Sequence, residues 1–334
     1  MTSYNDILNS YRFILGRDAN SEELEQITSN LFSLTEIPLP EYRRRFLTST
    51  EFHHRHREIL FDNFVPRNIE VLFDTKNGFK IYLDLRQYHI TFGIFGGEYE
   101  KLDVDIAKAI TPDDGVFYDV GGNVGYYSLS VATRPGFTGK VVAFEPLPYL
   151  CGLFKKSVKE NGLTRRVTVH QLALADMPGS MELNTAEHTA NAGATSLVAG
   201  SRGRESERSV RVETLDRMVK TLKPDTIKID IEGAEGLFFE GASATIAASH
   251  PSLLVEINRE VLARLSRADP RQIHAKLADW GYRLWEIEDG LSPLETPEDT
   301  DKAFPAGRVA NVLAIHPSRI KQVKRSLASL GLTI

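Results

Sequence analysis

The chain has 334 residues, 42% hydrophobic and 25% charged, an ordinary balance for a globular protein and enough for about two domains. Its 40 basic and 45 acidic side chains leave a formal charge of −5, which supplies no general attraction to nucleic acid or an anionic membrane. One cysteine, Cys151, excludes an internal disulfide framework and a paired-cysteine zinc site, and no apolar run approaches the ~18 residues of a membrane span. With no secretory pattern at the amino terminus, a soluble cytoplasmic protein is expected.

Tyr4, Ile7, Leu8, Tyr11, Ile14 and Leu15 recur at spacings of three and four, which predicts a helix ended near Gly16. Ser21-Glu22-Glu23 starts a second helix, a third follows Leu39-Pro40, and a fourth opens at Ser49-Thr50-Glu51-Phe52. Residues 1–62 therefore read as a helical module. His53, His54 and His56 fall in the fourth helix, where Arg55 and Arg57 suit a solvated face better than a metal site. Period two follows: Val71, Phe73, Ile81 and Leu83 flank Asn77-Gly78, a pair suited to a type I′ hairpin. Residues 63–97 are expected to be that hairpin and a connector.

From Tyr99 onward helices and strands alternate. Helix 101–110, strand 116–120, helix 124–133, strand 141–144, helix 148–161 and strand 167–172 come first. A polar stretch at 186–209 reads as a mobile loop or lid. Strand 226–230, helix 234–247, strand 253–256 and helix 270–280 resume the pattern. Strand-like segments 282–287 and 309–315 close it, separated by a long loop from Asp289-Gly290. The prediction for 98–334 is an α/β fold, a doubly wound and mostly parallel sheet with an antiparallel edge.

Asp119-Val-Gly121-Gly122-Asn123-Val-Gly125 lies between an apolar strand and a helix, the setting in which glycines bring backbone N–H groups close to a ligand. Glu145, ending the next strand, can accept hydrogen bonds from both hydroxyls of a ribose, so an adenosine cofactor is expected. A dinucleotide fingerprint needs glycine at its first, third and sixth positions, and this chain fails from either starting glycine. Asp119 would also repel a pyrophosphate, whereas it suits a cationic sulfonium and an ammonium. S-adenosylmethionine is therefore expected rather than NAD.

Four blocks in this order and spacing resemble the FkbM family of methyltransferases: Asp119–Gly125, Phe144-Glu145-Pro146, Lys228-Ile-Asp-Ile-Glu-Gly-Ala-Glu235 and Pro251-Ser-Leu-Leu-Val-Glu256. The resemblance spans roughly 98–260, although the family often has alanine where Gly122 stands. It implies a class I methyltransferase fold, Rossmann-like, with methyl transfer to oxygen on a sugar, glycan or secondary metabolite. By the same resemblance Asp119, Gly121, Asn123 and Gly125 contact the methionine part of the cofactor and Glu145 the ribose. Ala173 and Asp176 lie near the adenine, and Glu100 occupies the place of a glutamate ahead of the first strand. The segments Tyr11–Arg17 and Phe46–Phe52 resemble a DUF4214 module.

A hydroxyl acceptor needs a base at the strand tips. Asp230 and Glu232 are the candidates, with Lys228 and Glu256 as acceptor-binding partners and Glu235 as an acid in a first helical turn. A magnesium ion on Asp230, Glu232 and Glu256 is chemically reasonable, but no distinctive spacing supports it and no metal is assigned. His188 is a weaker alternative base, and His170 has no assigned role. Cys151 reads as core. Arg202, Arg204, Arg208 and Arg211 suit either an anionic acceptor or a solvated loop balanced by Glu205 and Glu207. The expected partner is a small-molecule or glycan acceptor, with no nucleic acid. Two other classes stay open: a methyltransferase fold acting as a non-catalytic assembly protein, and an NAD-dependent oxidoreductase.

Overall fold

The computed structural model describes residues 2–15, 17–47, 69–85, 87–97, 99–184, 196–198, 201–203, 206 and 208–334. The chain forms two units, residues 1–69 and 70–334. Gly16, the fourth helix, its histidines and arginines, His188, Arg204, Glu205 and Glu207 lie outside the described residues.

In the first unit, helix Tyr4–Ser10 runs on into a π-helical turn at Tyr11–Leu15, followed by helices Ser21–Ser29, Leu31–Thr35 and Leu39–Leu47. Capping boxes start the first two helices: Ser3 exchanges hydrogen bonds with Asp6, and Asn20 with Glu23. The second helix starts at Ser21, as expected, with Asn20 as its N-cap. Ile7, Ile27 and Tyr42 form the core of this unit, joined by Leu8, Tyr11 and Phe46.

The second unit begins with strands β1 (Glu70–Asp74) and β2 (Lys80–Asp84), paired antiparallel. The turn differs from the expected type I′. Gly78 N–H donates to Thr75 O, and of the Asn77-Gly78 pair only Gly78 takes a positive φ, 83°. A type I′ turn requires positive φ at both residues. The outer edge of β2 is covered by side chains of helix Pro148–Glu160 and its C-cap: Tyr82 N–H donates to Ser157 Oγ at 2.9 Å and Lys80 N–H to Asn161 Oδ1 at 2.8 Å. Residues 88–96, expected as connector, are a helix, Tyr88–Gly96. With the apolar sequence YHITFGIFG it has no polar face to give a period.

The strands that follow are β3 (Val116–Val120), β4 (Lys140–Phe144), β5 (Val167–His170), β6 (Ala173–Leu174), β7 (Gly179–Asn184), β8 (Ser196–Leu197) and β9 (Ser209–Glu213). Strands β10 (Thr226–Ile229), β11 (Ser252–Asn258), β12 (Arg283–Ile287), β13 (Leu291–Leu294) and β14 (Val309–Ile315) complete the set among the described residues. Eight of them form one sheet in the order β13-β12-β14-β11-β10-β3-β4-β5. Strands β5, β4, β3, β10 and β11 pair parallel. β14 is antiparallel to both β11 and β12, so the antiparallel strand sits inside the sheet, and β13 hairpins with β12 at the edge. Two apolar cores, one on each face, cover the sheet.

Three further expectations change. Residues 234–247 form two helices, Glu235–Gly241 and Ser243–Ser249. Gly241 lies against backbone, with the place of a Cβ 2.0 Å from Ala175 O. The loop after Asp289-Gly290 contains β13 and helix Pro297–Ala303. Where it is described, the polar 186–209 stretch is partly β-paired: β8 and β9 both flank β7 in a small second sheet with β6. Near the carboxy terminus a helix spans Ile320–Ala328.

Candidate active site

Strand β3 ends at Val120, and the chain reverses through the glycine loop into helix Tyr126–Ala132. Gly121 and Gly122 both donate their N–H to Phe144 O at 3.0 Å, which ties the loop to the end of β4. Gly121 (φ 81°) has Asp230 O at 1.7 Å from where a Cβ would stand, and Gly125 (φ 91°) has the Phe154 ring at 2.3 Å. Only glycine lets the loop pass this close to its neighbours.

Asp119 is 1% exposed, and its Oδ2 accepts from Ser128 N at 3.2 Å and Ser128 Oγ at 2.6 Å. Its Oδ1 is buried and has no partner among the described residues, and the same holds for Oδ1 of Asn123. Asn123 is held at φ 50°, and its N–H donates to Glu145 Oε2 at 2.8 Å. Glu145 Oε1 accepts from Leu147 N at 2.8 Å. Burial pushes the Glu145 carboxyl up to about 7 in spite of these two donors.

A single cleft runs along these strand tips. Gly121, Asn123, Glu145 and Ala173 line it together with Asp230 and Glu232. Its apolar wall comes from Phe144, Leu150, Leu172, Leu174, Leu183 and Leu197. Leu183 and Leu197, on β7 and β8, belong to the small sheet, and no spacing in the sequence ties that sheet to the glycine loop. Asp119, Gly125, Glu100, Asp176, Lys228 and Glu256 are not on the cleft wall. Asp176 is instead ion-paired with Arg202, and Arg211 with Glu213. Cys151 is buried in the core as expected, and His170 stacks on Phe144.

Behind the cleft lies a charged cluster. Lys228, 6% exposed, donates to Asp230 Oδ2 at 2.7 Å, which agrees with the shared strand face expected from alternation. Burial works to raise the Asp230 carboxyl, but Lys228, with hydrogen bonds from Glu256 and Lys228, holds it below the ordinary value. Glu256 is pushed the other way, first by burial and then by Asp230, so it keeps the proton of the pair. Burial, with Asp230 and Glu235 nearby, raises Glu232 to about 8. Glu232 also has a backbone φ of 51°, uncommon for a residue with a side chain. Glu235 caps its own loop, accepting from Gly233 N at 3.1 Å.

Oxygen atoms of Asp230, Glu232 and Glu256 approach within 4.8 Å of one another. Such trios also form without an ion, and here Lys228 already sets a positive charge on Asp230. Among the described residues no helix is long and apolar enough to cross a membrane.

No curated protein matches the sequence. Among solved structures, an FkbM methyltransferase from Methylobacillus flagellatus is similar at TM-score 0.41 and 14% identity, over 70% of this chain and 56% of that one. An S-adenosylmethionine-dependent O-methyltransferase from Thermotoga maritima is similar at TM-score 0.36 and 12% identity, over 74% and 77%. A tRNA (uracil-54, C5)-methyltransferase from Pyrococcus abyssi, in complex with S-adenosyl-L-homocysteine, is similar at 0.40 and 13%, over 74% and 44%. The methyltransferase FkbM domain matches residues 119–284, which carry the glycine loop, Glu145 and the Lys228–Glu256 cluster. Residues 119–284 are thus a methyltransferase FkbM domain.

Proposed function

We propose that the protein is an S-adenosylmethionine-dependent O-methyltransferase acting on a hydroxyl of a sugar, glycan or related metabolite, with a cytoplasmic setting. One observation carries the reading: the glycine loop with Glu145 and the acids Asp230 and Glu232 are walls of the same cleft. The residues fit the cofactor. Each Glu145 oxygen holds one backbone donor and keeps a further lone pair for a ribose hydroxyl. Asn123 Oδ1 is a buried acceptor with no donor among the described residues, and the apolar wall suits an adenine ring. When bound, the donor supplies a methyl carbon activated by positive sulfur.

The chain's own residues hold the acceptor and move its proton. Asp230, ionised and pinned by Lys228, is an acceptor for a substrate hydroxyl, which orients that oxygen. Glu232 is the better base. Its affinity for a proton lies near working pH, as general-base catalysis requires, and no hydrogen bond holds its carboxylate among the described residues. With the donor bound, the substrate O–H bond would break and pass its proton to Glu232 while the O–C bond forms, the methyl carbon giving up its bond to sulfur so that neutral S-adenosylhomocysteine leaves. We read the helical module at the amino terminus as DUF4214-like.

Two results are expected. Glu145→Gln weakens binding of S-adenosylhomocysteine in calorimetry by about tenfold, the value of roughly one hydrogen bond to a charged group. Unchanged affinity would remove Glu145 from the ribose site. In the second, methyl-labelled S-adenosylmethionine is offered with a panel of free sugars. Transfer climbs as pH rises through about 8, because Glu232 must lose its proton first, and Glu232→Gln lowers the rate by roughly 100-fold. Equal rates in the variant would sink the base assignment.

A further inference from the structure

The Lys228 ammonium is the charge on which the acceptor end depends, yet lysine is a flexible four-carbon stem that needs holding. Two side chains behind the cleft hold it. The ammonium stands over the face of the Tyr127 ring, 4.7 Å from the centroid. Tyr127 is 5% exposed, and its hydroxyl donates to Glu100 Oε2 at 2.6 Å. Glu100 sits at the start of helix Lys101–Ile110 with φ 43° and ψ 40°, a left-handed conformation that costs roughly 1–2 kcal/mol for a residue bearing a Cβ. Strain of this kind persists where the surroundings over-determine it, commonly beside an active site.

We infer that Tyr127 and Glu100 are positioning residues that fix the Lys228 ammonium on Asp230 at the acceptor end of the cleft; this rests on the acceptor-side reading above. The chain runs Glu100 carboxylate, Tyr127 hydroxyl, Tyr127 ring, Lys228 ammonium, Asp230 carboxylate. It assigns Glu100 away from the cofactor, in keeping with its absence from the cleft wall. An apolar cluster of the same volume would cost less to bury, so what the network supplies is a fixed charge. Lys228 is faced by Asp119 of β3, by Asp103, Glu100 and Glu232, and by the Tyr127 ring, and Asp230 in turn by Glu256 of β11, Tyr99, Glu232 and Glu235. With so many acids near, an ammonium free to swing would leave Asp230 to compete with them for protons.

The test uses the full chain with carboxyl-13C aspartate and glutamate and 15N-lysine, saturated with S-adenosylhomocysteine. Asp230→Asn and Lys228→Arg assign the two signals. In the wild type the Lys228 ammonium signal should be protected from exchange and displaced upfield by the ring. Tyr127→Leu should abolish that displacement and move the Asp230 titration to higher pH, while S-adenosylhomocysteine affinity stays the same. Tyr127→Phe keeps the ring but frees it from Glu100, and should speed exchange of the ammonium hydrogens. Should Tyr127→Leu not fold, Tyr127→Phe decides alone. An Asp230 titration that does not move in folded Tyr127→Leu, or ammonium exchange in Tyr127→Phe equal to wild type, would overturn the inference. Neither readout needs an acceptor, so the inference can fail while Glu232 and Asp230 still pass the labelled-methyl assay, and the reverse outcome is equally readable.

Discussion

Gly121→Ala is expected to lose S-adenosylhomocysteine binding and to destabilise the protein by about 4 kcal/mol or more, which is the size of the few severe single-site mechanisms. Two costs add. Alanine at φ 81° pays for a left-handed backbone, about 1–2 kcal/mol. The added carbon would also stand 1.7 Å from Asp230 O, a backbone atom at the tip of β10. Relief requires moving the glycine loop or the acid-bearing strand end, and the cleft is made of both. Gly122→Ala is the milder comparison: its φ is not positive, and the nearest neighbour of an added carbon would be a Phe154 ring carbon at 3.0 Å rather than backbone. That variant should cost about 1–3 kcal/mol, less than Gly121→Ala, and keep S-adenosylhomocysteine binding. Urea midpoints and calorimetry read both. Gly121→Ala with wild-type stability would mean that the close approach of loop and β10 does not exist in solution.

Lys228→Met should cost about 3–5 kcal/mol at pH 8, the usual penalty for removing one partner of a buried ion pair. Asp230 is the direct loser, and Asp119 and Glu100 lose the same cation. The pH dependence has a definite sign. Without the ammonium, Asp230 in the folded state binds its proton more tightly than in the unfolded chain. Folding then takes up a proton, so the stability of the variant should recover as pH falls and decline as it rises. The wild type already contains a background of that sign from Glu145 and Glu235, each raised to about 7 by burial. The quantity to read is therefore the difference between the two proteins in urea midpoint at pH 8 and pH 6. A gap that stays constant with pH would show that the carboxylates do not depend on Lys228.

What the sequence determined by itself is local. The apolar run Val116–Val120, the glycines after it and the acid at Glu145 are signals of a few residues' range, and strand, loop and helix stand where those signals put them. Alternation along Thr226–Asp230 likewise set Lys228 and Asp230 on one face. Segments lacking a period were missed: Tyr88–Gly96 is apolar all round, and β13 carries a proline at Pro293 on a sheet edge. The tertiary structure alone decided that β14 inserts between β11 and β12, that Leu183 and Leu197 reach the cleft, and that Glu100 meets Tyr127 rather than the cleft wall. It also decided which acid is ionised. Asp230, Glu232 and Glu256 are similar carboxylates in the sequence, and they separate only because one lies 2.7 Å from a buried ammonium while the others are desolvated beside its negative charge. Charge interactions act through space over several ångströms, so the chemistry of each acid depends on neighbours that lie far from it along the chain.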